Sequence, residues 1–229
     1  MLIIMKTTTK ILFGLSLLGA LSPVWAADRP DLDNRLRTLT TEFQALQQKP
    51  DRRIPADYLA KACGIVLLDR TKAGFGFAYQ GGSGVLMIKR AEGQWSPPVF
   101  LRANQGSFGF QAGGEQNFTV VLLMDTNSIR NFTGPVSELG GAARGTAGND
   151  AAGTHGQVSS PKQYDTLVFN DRTGLYGGAF VENGVISPDL RANALCYNSS
   201  ESAQDILYDD RTQATPAGRA LAESLGQLK

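Results

Sequence analysis

The sequence is poor in metal-binding side chains and in net charge. Its 229 residues include one histidine, His155, and two cysteines, Cys63 and Cys196. These are too few for a structural zinc site of four thiolates, or of two thiolates and two imidazoles. The 22 basic side chains are balanced by 21 acidic ones, which leaves a formal net charge of +1. Nucleic acid is not an expected partner, because binding it depends on an excess of clustered cations.

A run long and apolar enough to span a membrane is also missing from the amino terminus. Lys6 and Lys10 precede the apolar stretch 11–21, which is about half of the roughly 20 residues that a spanning helix needs. Val24-Trp25-Ala26 follows as a cleavage site. We therefore predict a signal peptide over residues 1–26, cut after Ala26, with an uncleaved anchor as the alternative. Residues 27–229 then form one exported domain, periplasmic or peripheral to an envelope membrane.

The mature chain begins with a one-sided helix. Pro30 precedes the segment 31–48 and Pro50 ends it. Five large apolar side chains recur at intervals of four and three residues and fall within an arc of about 80°. They are Leu32, Leu36, Leu39, Phe43 and Leu46. Fully burying them is worth about 8–15 kcal/mol before entropy is counted, so burial against the protein's own sheet or in a bilayer is expected.

The centre of the chain has the composition of an antiparallel sheet, and helices are predicted again near the carboxyl end. The fold class is α+β, with a strongly curved, mainly antiparallel sheet that forms a partial barrel. Turns are expected at 81–83 and 91–93, and bulges in the glycine-rich stretch 108–114. The predicted strands are 65–68, 74–79, 84–88, 118–124, 165–169, 177–181 and 194–197, and the remaining helices are 56–62, 203–207 and one opened by Thr215-Pro216.

Catalytic chemistry is not indicated. The stretch 140–156 is rich in glycine and alanine and is predicted to be a long surface loop, so His155 lacks the fixed geometry that a general base needs. The glycines at 74–76 and 81–84 lie between strands rather than before a helix, which argues against a nucleotide site. We expect no cofactor, no metal site and no enzymatic activity.

The two cysteines leave an alternative open. Outside the cytosol, Cys63 and Cys196 would be able to form a disulfide that closes a very long loop. The ordinary interpretation is two separate buried thiols, because spatial adjacency cannot be deduced from one sequence.

An ordered series of short motifs resembles the SYLF-domain family from about Pro30 to the carboxyl terminus. The spacing from the Gly-Gly-Ser-Gly motif to the Trp-Ser-x-Pro motif is the specific part of the match. The motifs are Ile54-Pro55, Ala60-Lys61-Ala62, Lys72-Ala73-Gly74-Phe75, Gly81-Gly82-Ser83-Gly84, Trp95-Ser96-Pro97-Pro98, Gly174-Leu175-Tyr176-Gly177-Gly178 and Asp205-Ile206-Leu207. The stretch 143–149 departs from the family pattern.

The resemblance implies a lipid-binding domain, and the chain looks like a bacterial, exported member. Eukaryotic members are associated with phosphoinositide-rich membranes and with actin, neither of which is expected in a bacterial envelope. We therefore predict a non-enzymatic phospholipid-binding protein that contacts a membrane through the amino-terminal helix. The alternative is a scaffold for another envelope protein, in which that helix is purely structural.

The predicted contact surface combines the apolar stripe with nearby cations. Residues 28–53 carry six cations and five anions, so only a modest preference for anionic lipid is expected. The predicted lipid-binding residues are Leu32, Arg35, Leu36, Leu39, Phe43, Leu46, Lys49, Arg52 and Arg53.

Overall fold

The computed structural model describes residues 28–134, 137–139, 146–148 and 165–227. It has the predicted α+β composition, with helices before and after a mainly antiparallel sheet. The helices are α1 Arg29–Gln47, α2 Ala56–Lys61, α3 Thr126–Thr133, α4 Leu190–Tyr197, α5 Ala203–Tyr208 and α6 Pro216–Gly226. The strands are β1 Gly64–Ile88, β2 Val99–Leu123, β3 Ser137–Leu139, β4 Thr146–Gly148 and β5 Thr166–Pro188.

Three long strands make up most of the sheet. β2 lies in the middle and pairs antiparallel with β1 on one side and with β5 on the other. The short β3 pairs antiparallel with one end of β5, and β4 pairs parallel with the other end. The described sheet is open, as expected of a partial barrel.

Strand β1 doubles back on itself, and its glycines are the reason that it can. A Cβ atom on Gly84 would lie 2.0 Å from the carbonyl oxygen of Leu67, and one on Gly82 would lie 2.2 Å from that of Asp69. Only glycine allows backbones to approach this closely. The Lys89 N–H also donates to the carbonyl oxygen of Cys63 over 2.8 Å, at the open end of the bend.

The turn predicted at 81–83 is therefore wrong. β1 continues through these glycines without a break, because they serve close approach between its two halves rather than chain reversal. The bulge predicted at 108–114 is confirmed. Across it the partner of β1 moves from Ala112, opposite Phe75, to Phe108, opposite Phe77. The turn predicted at 91–93 is also confirmed, with Gly93 at a φ of +76°.

The two faces of the sheet carry separate apolar cores. Side chains alternate along each strand, so Ile65 and Leu67 point to one face while Val66 and Leu68 point to the other. The first, here called the α1 face, is covered by α1, α2, α4 and α6. The second, here called the α5 face, is covered by α3 and α5.

Polar caps define most of the helices. The Asp28 side chain accepts from the Asp31 N–H at the start of α1, and the Thr215 side chain accepts from the Gly218 N–H at the start of α6. The helices predicted at 31–48, 56–62, 203–207 and after Thr215 are confirmed, with ends that differ by a few residues.

The strand predicted at 194–197 is wrong. These residues belong to α4, which the Asp189 side chain caps by accepting from the Ala192 N–H. Four apolar residues in a row fit a buried strand or a helix equally, and the cap decides for the helix. Helix α3 was not predicted, although Asp125 caps it by accepting from the Asn127 N–H and Ile129 and Phe132 are buried at helical spacing.

Several predictions lie outside the described residues. They include the signal peptide at 1–26, the environment of His155 and most of the loop at 140–156. Within that loop, 146–148 is described and forms β4, which pairs with β5 at 166–168, so a surface loop is wrong at these three positions.

Candidate functional site

The apolar stripe of α1 is fully buried in the domain. Its five side chains have exposures between 0% and 3%. They belong to the core of the α1 face together with residues of β1, α4 and α6. Of the two environments predicted for the stripe, the structure shows the first, burial against the protein's own sheet. Contact with a bilayer would require α1 to leave the sheet.

The amino-terminal half of α1 covers helix α4. Arg29 Nε donates to the carbonyl oxygen of Leu195 over 2.9 Å. Beneath it, Cys196 is only 8% exposed, and its burial, reinforced by the negative charge of Asp33, raises the pKa of the thiol to about 11. Cys196 therefore stays protonated at neutral pH under the cover of α1.

The carboxyl-terminal end of α1 is attached through charges that the sequence did not connect. Lys49 Nζ and Arg52 Nη1 both bind the Asp171 carboxylate of β5, with 2.9 Å from Arg52 to Oδ1. The Asp171 side chain is 6% exposed, whereas those of Lys49 and Arg52 are 39% and 43% exposed. We call these three residues the Asp171 latch.

The structure brings together only part of the predicted cation set. Lys49 and Arg52 meet in the latch, while Arg53 remains on the surface. Arg35 lies further along the helix and pairs with Asp31 over 3.3 Å. Arg35 borders a cleft of about 180 Å³ between α1 and the sheet, and Asp69 also lines this cleft.

The structure has two separate thiols and does not contain the possible disulfide. Both cysteines are free in the structure. Cys63 packs against the core of the α5 face, and Cys196 belongs to the core of the α1 face. The sheet therefore separates the two sulfur atoms.

A polar network that sequence reasoning missed lies on the α5 face. Arg70 Nη2 donates to Thr119 Oγ1 over 2.8 Å, and that hydroxyl donates to Asn170 Oδ1 over 2.7 Å. Arg70 and Lys72 are 7% and 4% exposed, which is unusual for cations. A charge at every second position after Val66 and Leu68 was the signal for this buried polar row.

A shallow acidic groove runs beside α5. Its lining includes Asp205, Asp209 and Tyr208, and the tyrosine is 58% exposed. Hydrogen bonds from Arg211 hold the pKa of Asp209 at about 2. Arg90 donates to the carbonyl oxygens of Leu207 and Asp209 and so attaches the end of α5 to the rest of the domain.

Two features are absent from the described residues. No group of three or more histidine, cysteine, aspartate or glutamate side chains is arranged to hold a metal ion among them. None of the helices in the same ranges is sufficiently long and apolar to cross a bilayer.

The fold defines an α+β domain built on a doubled-back antiparallel sheet, and comparison with known proteins identifies its family. The model of the Ysc84 family, described as Las17-binding protein actin regulator, matches residues 104–228. The chain belongs to this family, which confirms the predicted SYLF resemblance.

The curated relatives are eukaryotic and longer. The SH3 domain-containing YSC84-like protein 1 of Bos taurus is 30% identical over 169 residues, covering 73% of this chain and 50% of that protein. LAS seventeen-binding protein 3 of Saccharomyces cerevisiae is 28% identical over 175 residues, covering 73% of this chain and 37% of that protein. The chain thus spans about half or less of these relatives. No solved structure matches it.

Proposed function

We propose that this chain is a non-enzymatic phospholipid-binding protein that acts at a membrane surface of the bacterial envelope. In this proposal α1 is the contacting segment and its stripe inserts among acyl chains. The protein has two states, one with α1 docked on the sheet and one with α1 in a bilayer. The preference for anionic lipid is modest and comes from the cations at the carboxyl-terminal end of α1.

The observation that carries the proposal is the construction of α1. All five large apolar side chains of this helix lie in one stripe, and α1 is the first element of the described chain. It can therefore leave the sheet as a unit, without breaking any strand. Transfer to a bilayer removes the apolar area of the stripe itself from water, as docking does, so the cost of exposing the stripe is offset at a membrane.

Export is part of the proposal and is tested separately. It is supported by the basic and then apolar composition of residues 1–21 and by the cleavage site at Val24-Trp25-Ala26. Expression of the full chain in a Gram-negative host, followed by fractionation and amino-terminal sequencing, is expected to give a periplasmic or membrane-peripheral protein that begins at Ala27. A cytoplasmic, uncut protein would contradict export.

Lipid binding is best tested without altering the stripe. Leu36 and Phe43 have 0% exposure, so aspartate at either position would unfold the domain rather than report on lipid. Wild-type protein 27–229 is instead mixed with vesicles whose phospholipids carry a photoreactive diazirine near the acyl-chain terminus. After irradiation, mass spectrometry maps the labelled peptides. We expect labels on the peptides of residues 29–47.

The vesicle series includes phosphatidylcholine alone and phosphatidylcholine with phosphatidylglycerol. Pelleting without labels on α1 would contradict the helix mechanism, and absence of both pelleting and labels would contradict lipid binding. Peptides from α3, which lies on the α5 face and is not covered by α1, serve as the internal control for unfolding at the membrane, because they remain unlabelled if the rest of the domain is intact.

The alternative is an interaction module for another envelope protein, with α1 purely structural. The specific observation in its favour is that the stripe is already buried to between 97% and 100% without any lipid. The groove beside α5, with its exposed Tyr208, would then be a contact surface for a basic partner.

This alternative has its own test. Tagged protein is cross-linked in intact cells and purified, and its partners and lipids are measured by mass spectrometry. A stoichiometric protein partner that is lost with Tyr208→Ala, together with no enrichment of phospholipid, would favour the interaction module. Recovery of phospholipid with no stoichiometric partner would favour the lipid-binding function.

A further inference from the structure

We infer that Asp171 occupies, in the resting protein, the place that an anionic lipid headgroup takes on Lys49 and Arg52 at the membrane. The carboxylate thereby holds α1 closed until a bilayer competes for its two cations. This inference rests on the proposed lipid-binding function and specifies how that function is regulated.

The geometry of the latch supports competition. Asp171 projects from the sheet with 6% exposure and binds two cations of the segment that directly follows α1. Lys49 and Arg52 retain 39% and 43% of their exposure, so an incoming phosphate can reach them while they are still bound to the carboxylate. A phosphate diester offers the same negative charge and the same acceptor oxygens as the carboxylate.

The position of the latch explains why its opening would matter. It joins α1 to β5 at the carboxyl-terminal end of the helix, while Arg29 holds the other end on α4. When Lys49 and Arg52 bind lipid headgroups in place of Asp171, the apolar stripe lies next to the bilayer that contains those headgroups. Soluble phosphate can bind the two cations, but it provides no apolar environment in which the stripe can be buried.

The expected size of the effect follows from the population of the open state. If α1 is open in only a small fraction of molecules, apparent affinity for vesicles rises in proportion to that fraction. Loss of the charge on the buried Asp171 weakens its contacts with the partly exposed Lys49 and Arg52, and a net change of this kind alters the open fraction by about tenfold. Asp171→Asn is therefore expected to tighten binding to phosphatidylglycerol-containing vesicles about tenfold.

Asp51→Asn is the matched control. Asp51 also lies near Arg52, at 3.6 Å, but its side chain is 77% exposed and is not part of the latch. Both substitutions raise the net charge by one, so general attraction to an anionic surface changes equally. Equal vesicle affinity of the two variants would overturn the latch, whereas tighter binding by Asp171→Asn alone supports it.

The alkylation rate of Cys196 reports on α1 without lipid. Cys196 lies beneath α1, and its modification by iodoacetamide is followed by mass spectrometry, with Cys63 as an internal reference. Asp171→Asn is expected to speed alkylation of Cys196 about tenfold while Asp51→Asn leaves it unchanged. An unchanged rate in both variants would overturn the inference.

A comparison with soluble phosphate distinguishes a phosphate group carried by a lipid from free inorganic phosphate. Wild-type protein is alkylated in the presence of phosphatidylglycerol vesicles or of inorganic phosphate at matched ionic strength. Faster reaction of Cys196 with vesicles only supports the inference. Equal acceleration by inorganic phosphate would overturn the coupling to a bilayer.

The results distinguish failure of the inference from failure of the proposed function. If wild type binds vesicles and Asp171→Asn behaves like Asp51→Asn, only the latch is wrong. If neither wild type nor any variant binds vesicles, lipid binding itself is wrong and the inference falls with it. Should Asp171→Asn not fold, Arg52→Gln loosens the latch from its other side, and an unchanged Cys196 rate in that variant overturns the inference.

Discussion

Helices α1 and α6 lie against each other on the same face of the sheet, yet they are built in opposite ways. α1 buries five large side chains and is attached at both ends by polar contacts to α4 and β5. α6 buries Ala217, Gly218 and Ser224 besides two leucines, so its backbone lies close to its neighbours. A Cβ atom on Gly218 would lie 3.1 Å from Pro98 Cδ.

This contrast distinguishes the helix that moves in the proposed function from the helix that stays in place. An interface of small residues depends on the close approach of two particular backbones. It contains little apolar area that a different environment would bury. A stripe of large side chains can be buried equally well by a different apolar partner. In the proposed function, α1 is therefore the transferable element of the α1 face, and α6 is the fixed support against which it docks.

The largest expected effect comes from the stripe itself. Phe43→Ala removes a side chain with 0% exposure and is expected to lower the free energy of unfolding by about 3–5 kcal/mol. Leu225→Ala in α6, from a side chain at 4% exposure, is the counterpart at about 2–5 kcal/mol. Urea denaturation measures both. A loss below about 1 kcal/mol for Phe43→Ala would contradict the packing of α1 described above.

The second prediction concerns the close approach in α6. Gly218→Val places branched carbons against the rigid ring of Pro98 and is expected to cost about 1–3 kcal/mol. Gly226→Val is the matched control in the same helix, because nothing lies within 4 Å of its Cβ position. Equal thermal stability of the two variants would show that the contact with Pro98 does not hold α6 in place.

The third prediction compares the caps of the two helices. Asp28→Ala and Thr215→Ala each remove a side chain that accepts a backbone N–H, and each is expected to cost about 1 kcal/mol. Asp28→Asn and Thr215→Ser keep an acceptor and serve as controls. If Asp28→Ala costs nothing in denaturation while Thr215→Ala does, the first turn of α1 is already open in the free protein.

The fourth prediction concerns pH and depends on the cover that α1 provides. The pKa of Cys196 is about 11 in the folded protein, against an ordinary value of 9.0. The unfolded chain therefore loses this proton first, and stability falls as pH rises from about 9 to about 11. Between pH 8.5 and pH 11, the urea concentration at the midpoint of unfolding is expected to fall more for wild type than for Cys196→Ser. Equal losses would contradict burial of the thiol under α1.

Local signals predicted the helices where caps and prolines bounded them. Pro30 and Pro50 delimited α1, and Thr215-Pro216 opened α6. The run at 194–197 was assigned to a strand because its apolar pattern is ambiguous and the weight of Asp189 as a cap was missed. The course of β1 was not predictable, because a glycine at a turn and a glycine at a backbone crossing look alike in sequence.

The candidate site was predictable in composition but not in arrangement. Periodicity identified the stripe, yet burial by a sheet and burial by a bilayer select the same residues. Lys49 and Arg52 were expected to face lipid as free cations. Their resting partner, Asp171, follows Lys49 by 122 positions, and no local pattern connects residues so far apart.

The doubled course of β1 dictates when this protein can fold. The doubled-back β1 pairs along its length with β2, and β2 pairs along its length with β5. Leu101 therefore has to pair with Pro188, and Leu123 with Thr166. Such distant pairings make folding slow and leave the inner strands unpaired at their edges until the last third of the polypeptide has been made. A chaperone that shields residues 64–123 during synthesis would therefore raise the yield of native protein more than one that shields the terminal helices.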